Sequence, residues 1–214
     1  MKKNYLELVE HYTNCLKEHG ETHRGVDWPK IEDLKKRYEV IFDITKYGKN
    51  NSQKIDLIDF GCGFGLFLDF LAEQNLKETV NYLGIDLSHE MIEAARRRYQ
   101  NEKFIIRDII ENPLEKNSCD YLIMNGVLTE KRSLSYDEMK IYAQNLIKVA
   151  FDTCRIGMSF NVMSAHVDWQ RDDLFHFKFD ELAEFLTKEC SRNFVIRSDY
   201  GLYEYMVYLF KSPN

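Results

Sequence analysis

The 214 residues, 44% hydrophobic and 14% aromatic, suffice for one domain with a substantial core and are too few for two ordinary enzymatic domains. No window offers the roughly eighteen consecutive apolar residues of a membrane span. The net charge of −6 argues against a broad nucleic-acid surface, which needs concentrated positive charge. The opening Met1-Lys2-Lys3-Asn4-Tyr5-Leu6-Glu7 places a carboxylate where a signal peptide needs an apolar run, so a cytoplasmic location is expected. Cys15, Cys62, Cys119, Cys154 and Cys190 form no close pairs. Free, mostly buried thiols are expected, with no metal and no cluster.

In chain order, residues 1 to about 48 show helical periodicity alone. Tyr5, Leu8, Val9, Tyr12 and Leu16 share one face, and Ile31, Leu34, Tyr38 and Ile41 share another. These spacings predict helices over 5–16 and 31–42, with Pro29 in the first turn of the second. The stretch His19 to Trp28 between them reads as a loop. From about 54 onward strands and helices alternate, the pattern of a parallel sheet covered on both faces. Strands are expected at 55–60, 80–86, 103–107, 119–124, 154–161, 193–198 and 203–210. Helices are expected at about 64–75, 88–100, 135–151 and 179–190. Ser88 can cap the second of these, and Ser135 with Glu138 makes a capping box for the third. Arg96-Arg97-Arg98 falls on the solvated face of its helix. Only Ser198 to Gly201 separate the last two strands, too few for a crossover, so they must form an antiparallel hairpin.

The chemistry concentrates where the first strand ends. Ile55 to Phe60 runs into Gly61-Cys62-Gly63-Phe64-Gly65, followed by an amphipathic helix. Alternate glycines permit positive φ and let a ligand approach the backbone. The turn sits beyond the carboxyl end of a central strand, where open α/β sheets bind ligands. The spacing is D-x-G-x-G-x-G from Asp59, and Leu66 stands where a dinucleotide fingerprint needs its third glycine. A nicotinamide dinucleotide is therefore disfavoured.

On these residues the sequence resembles class I S-adenosylmethionine (SAM)-dependent methyltransferases, whose first motif is an acidic residue followed by alternate glycines. The resemblance implies a three-layer Rossmann-like fold with a mostly parallel seven-stranded sheet and an antiparallel last strand. The core would be 49–214, with 1–48 as a helical cap of the same domain. It implies that Asp59, Gly61, Cys62, Gly63 and Gly65 cradle the cofactor. Asp86, with Leu87, would accept the ribose hydroxyls, and Asp108, with Ile109, would meet the adenine amino group. Asn125 and Gly126, after the fourth strand, would hold the methionine end. SAM is the expected donor and S-adenosylhomocysteine the product. His19-Gly20, Gly25-Val26-Asp27-Trp28, Arg37-Tyr38, Phe160-Asn161 and Asp199 to Tyr205 resemble bacterial methyltransferases of surface-polysaccharide clusters. There Arg37 would pair with the SAM carboxylate; a salt bridge within its helix is the alternative.

The expected acceptor is small and polar, a sugar- or phosphate-bearing molecule methylated on oxygen, with no nucleic acid or membrane partner and a monomer or homodimer as the working form. A small-molecule N-methyltransferase, or a non-catalytic subunit of the same fold, is the rival. An alcohol acceptor needs a base. His166 and Asp168, after the fifth strand, lead; His19 and His23 come next, then Glu130. Tyr12, His19, Trp28 and Glu130 are expected at the acceptor and its lid. His176, between Phe175 and Phe177, reads as packing.

Overall fold

The computed structural model describes residues 5–48 and 54–213. The expected junction of cap and core, at 48/49, therefore borders residues outside those described. Five parallel strands, β1 (Ile55–Phe60), β2 (Val80–Asp86), β3 (Lys103–Ile106), β4 (Cys119–Leu128) and β5 (Cys154–Ser164), lie in the order β3-β2-β1-β4-β5. The sheet gains a two-residue strand, β6 (His176–Phe177), parallel to β5, and ends in β7 (Phe194–Arg197) and β8 (Glu204–Phe210). β8 inserts between β5 and β7 and runs antiparallel to both. The expected reversed last strand and terminal hairpin are both present. Among the described residues the sheet has eight strands rather than the expected seven. β5 runs on to Ser164, where β6 pairs with Met163 and Ser164 and satisfies backbone that would otherwise be buried unpaired.

Strand order reverses between β1 and β4, which makes the carboxyl ends of these two strands the switch point of the sheet. The helices are α1 (Leu6–His19), α2 (Ile31–Phe42), α3 (Ile44–Tyr47), α4 (Leu66–Glu73), α5 (His89–Arg98), α6 (Tyr136–Thr153) and α7 (Phe179–Glu189). Apolar residues of α2, α4 and α5 form the core on one face of the sheet. Those of α6 and α7 form the core on the other. α2 is a full member of its layer: Ser159 donates to the Ile41 carbonyl and Tyr208 to that of Val40.

Several element ends follow their local chemistry. Ser88 accepts from the Met91 amide, and Ser135 and Glu138 form the reciprocal capping box. α4 starts at Leu66 rather than 64 because Gly65, at φ 87°, holds a left-handed conformation before the first turn. α2 starts at Ile31, two residues beyond Pro29. α1 runs on to His19, and the stretch after it tightens into a 3-10 turn, His23–Val26. Arg96, Arg97 and Arg98 are exposed and pair with Glu93, Glu21 and Asp69. No cysteine is in a disulfide among the described residues, and Cys62, Cys119 and Cys154 are buried. Among the described residues, no helix is long and apolar enough to cross a membrane.

Candidate active site

A cavity opens at the switch point. Its walls include Asp59, Gly61, Cys62 and Gly63 from the end of β1, Asp86 and Leu87 from β2, and Asn125 and Gly126 from β4. The turn after β1 is built by backbone bonds: the Gly61 and Cys62 amides both donate to the Ile85 carbonyl, at 2.7 and 3.1 Å. Gly63, at φ 54°, leaves no room for a side chain, since a Cβ there would lie 2.9 Å from Val26 Cγ1. Val26 belongs to the 3-10 turn, so the segment after α1 rests directly on the glycine turn.

Asp86 holds the two halves of the site together. Its Oδ2 accepts from the Gly63 amide and its Oδ1 from the Ser88 amide, both at 2.9 Å. Each carboxylate oxygen can accept a further hydrogen bond, and Asp86 lines the cavity. Burial raises its pKa, opposed by these backbone bonds. Asp59 is deeper: burial pushes it up to about 7, against the Tyr82 hydroxyl that donates to it at 2.8 Å, and the Asp86 charge adds to the rise.

At the β4 end the backbone bulges between Met124 and Leu128, and Gly126 takes φ 81°. Its amide donates to Asn161 Oδ1 at 2.7 Å, and its carbonyl accepts from Thr129 and Tyr12. Asn125 Oδ1 is buried on the cavity side of this bulge with no hydrogen-bond partner among the described residues. An unfilled buried acceptor costs about 1–3 kcal/mol. A ligand bearing an ammonium or amide group would relieve it.

α1 closes the cavity from above. Thr13 and Ser88 share a hydrogen bond at 2.8 Å, and Tyr5, Leu8, Val9 and Tyr12 complete the wall. Tyr5 stacks on Tyr142 with centroids 4.8 Å apart and donates to Asp108 Oδ2 at 2.6 Å. The other Asp108 oxygen receives the Ile110 and Glu111 amides. Asp108 is thus linked to the cavity through Tyr5, while Ile109 is fully buried in the core and outside the wall.

A second cavity lies beyond Trp28, which lines both. Its walls include His19, Arg24, Asp27, Arg37, Glu130 and Trp169. Arg37 is not on the wall of the first cavity. Its Nε donates to Glu204 Oε2 at 2.9 Å and its guanidinium stacks 3.9 Å from the Trp28 ring centroid. Neither expected role, partner of the SAM carboxylate nor salt bridge within its helix, matches this placement, because β8 brings a buried carboxylate under the helix. Burial pushes Glu204 up and the Arg37 charge opposes it.

The leading base candidates do not meet here. His166 and Asp168 are exposed and on neither wall; the His166 ring packs against Phe179. His23 is half-buried in the 3-10 turn and also off both walls, while His19 is exposed at the rim of the second cavity. Of the expected bases, Glu130 has the setting: it is 7% exposed, and its pKa is raised by burial and by the charges of Asp27 and Asp173. His176 is buried and packs as expected, with Nδ1 2.7 Å from the Ser164 carbonyl. Sequence reasoning gave no role to His11, whose Nε2 lies 2.7 Å from Asp27 Oδ2. It shares a helix face with Cys15, but nothing local announces that Asp27 folds back onto it.

A methyltransferase domain family matches residues 51–188. The chain belongs to that family. It is 28% identical over 168 residues to a protein of Mycobacterium tuberculosis provisionally named a methyltransferase, covering 76% of this chain and 97% of that one. A tRNA (guanine-N(7)-)-methyltransferase of Clostridium botulinum is 33% identical over 93 residues, 37% of this chain and 41% of its own length. Among solved structures, the fold is similar to that of magnesium protoporphyrin IX methyltransferase from Synechocystis with bound SAM, at TM-score 0.67 and 14% identity, covering 99% of each chain. A SAM-dependent methyltransferase from Aquifex aeolicus aligns at TM-score 0.55 and 15% identity over 86% of this chain and 94% of that one. Family membership, the glycine turn and the Asp86 clasp agree: this methyltransferase uses SAM.

Proposed function

We propose that this methyltransferase moves the methyl group of SAM to an oxygen of a small polar acceptor held in the second cavity. The observation that carries the reading is Trp28, the wall shared by a cavity with a nucleoside-type clasp and a cavity lined by charged and aromatic groups. Asp86 would hold the ribose hydroxyls, Asn125 the amino-acid end, and Asp108 the adenine edge once Tyr5 gives way. SAM, when bound, supplies a methyl on a positively charged sulfur and leaves as S-adenosylhomocysteine. The protein contributes alignment and exclusion of water, which α1, the 3-10 turn and Trp28 provide as a cover over the switch point. In this reading the described part of residues 1–48 acts with the core as one domain.

An acceptor hydroxyl must lose its proton as its oxygen bonds the methyl carbon and the carbon–sulfur bond breaks. Glu130, whose carboxylate gains proton affinity from burial and from the charges of Asp27 and Asp173, with Arg132 opposing, is the group of the second cavity best suited to take that proton. Arg24 on the same wall suits a phosphate-bearing acceptor, and Trp169 with Tyr203 offers aromatic faces to a sugar ring. A sugar- or phosphate-bearing intermediate of surface-polysaccharide synthesis fits that lining. Asp27, Asp33 and Glu130 on the wall favour a second reading, a small cationic amine methylated on nitrogen.

Two measurements test the proposal. SAM at a hundred times its dissociation constant should stabilise the fold by about 2.7 kcal/mol, seen as a raised melting temperature, while NAD does nothing. A mass-spectrometric screen of sugars, sugar phosphates and amines should then show one methyl gained on a polar oxygen, with Glu130→Gln slower by roughly 10²–10⁴-fold. Methylation of amines alone would select the second reading, and a melt shifted by NAD but not SAM would remove both.

A further inference from the structure

Three groups of different chemistry converge where α1 meets the 3-10 turn. His11 and Cys15 are four residues apart on one face of α1. Asp27, in the left-handed conformation at φ 58°, turns its carboxylate back onto them. His11 Nε2 stands 2.7 Å from Asp27 Oδ2 and 3.7 Å from Cys15 Sγ, and the three ligand atoms all lie within 4.8 Å of one another. From these positions we propose a site for a borderline-soft divalent cation, Zn²⁺ in class, held by His11 Nε2, Cys15 Sγ and Asp27. The site does not rest on the methyl-transfer reading, although Asp27 is shared with the wall of the second cavity.

The geometry suits the ion. Tetrahedral zinc with bonds of about 2.0 Å to nitrogen and oxygen and about 2.3 Å to sulfur sets neighbouring ligand atoms about 3.3–3.5 Å apart. The sulfur–nitrogen spacing is already close to that value, and the nitrogen–oxygen spacing needs to open by about 0.6 Å. Side-chain rotation supplies such a shift. The surrounding charge has the right sign for a cation: Asp27 is itself a ligand, and Glu18 and Glu130 act on Cys15 as further negative charges, with Arg132 opposing. Three protein ligands leave a fourth position, as open zinc sites do. Asp27 itself lines the second cavity, so the ion would tie the cover to α1 at its edge. Binding displaces the Cys15 thiol proton to solvent, and the proton that His11 Nε2 shares with Asp27 moves through solvent to Nδ1, which leaves Nε2 free to ligate.

Cobalt(II) is the probe, because a thiolate ligand gives it a charge-transfer band. The full-length protein should develop that band on titration, and Cys15→Ser should abolish it. His11→Ala and Asp27→Asn should weaken Co²⁺ and Zn²⁺ binding by at least the roughly 10- to 100-fold that outer-shell partners alone contribute. In the unmutated protein, Zn²⁺ should protect Cys15 but not the half-buried Cys190 from alkylation, which needs no variant to fold. Calorimetry of SAM in the same samples reads the cofactor site separately. No thiolate band, a band unchanged in Cys15→Ser, or equal alkylation of Cys15 with and without Zn²⁺ overturns the proposal.

Discussion

Arg37 reaches from α2 to Glu204 on β8 and donates to it at 2.9 Å, beneath the Trp28 ring. The pair is almost wholly buried, at 9% and 0% side-chain exposure. The Tyr200 hydroxyl also donates to Glu204. Through Trp28 this buried ion pair supports the partition between the two cavities, which gives it consequences for both stability and turnover.

Removing one partner of a buried pair strands the other charge. Arg37→Met should destabilise the fold by about 3–5 kcal/mol, and Arg37→Met with Glu204→Leu should recover much of that loss. Denaturant unfolding of both variants checks this. A double variant no more stable than the single one would show that the pair is not what Glu204 requires.

Asp86→Ala removes the proposed ribose acceptor and also the partner of the Gly63 and Ser88 amides. SAM binding by calorimetry should weaken by roughly 1.5–3 kcal/mol. The melting temperature without ligand should fall too, because two backbone donors lose a charged acceptor. Unchanged SAM affinity would displace Asp86 from the cofactor site.

Gly126→Ala tests the partition. The residue sits at φ 81°, and a Cβ would come 2.8 Å from Trp28 Cζ2. Left-handed backbone costs a residue with a side chain about 1–2 kcal/mol, and the indole must shift as well. We expect altered tryptophan fluorescence and turnover lowered by roughly 100-fold from misplacement alone. Trp28→Ala should likewise reduce turnover far more than SAM affinity. Wild-type turnover in both variants would make the partition structural only.

The buried Asp59 sets a pH dependence. Its folded pKa of about 7 lies above the unfolded value of about 3.9. Between those values the folded state binds more protons than the unfolded state, so stability falls as pH rises from about 4 to about 7. It then levels off. Asp59→Asn should flatten that slope in denaturant unfolding followed across the window. A slope unchanged by the substitution would mean that Asp59 is ionised throughout.

The alternation of apolar runs, the helix caps and the glycine turn are local, and the strands, the helices and the Asp59 to Gly65 turn could be read from neighbouring residues alone. The short link from Ser198 to Gly201 even determined the antiparallel hairpin, because no crossover fits in it. Local pattern could not place β6, two residues long, nor show that His166 and Asp168 stay at the surface while Glu130 is buried. The partners of Arg37 and His11 were equally hidden. Glu204 lies 167 positions from Arg37, and Asp27 lies 16 positions from His11 across a reversal of the chain. Such contacts arise only when β8 slides between β5 and β7 and the turn after α1 folds back onto the glycine loop. Which charges meet depends on packing of distant elements, and periodicity along the chain carries no record of it.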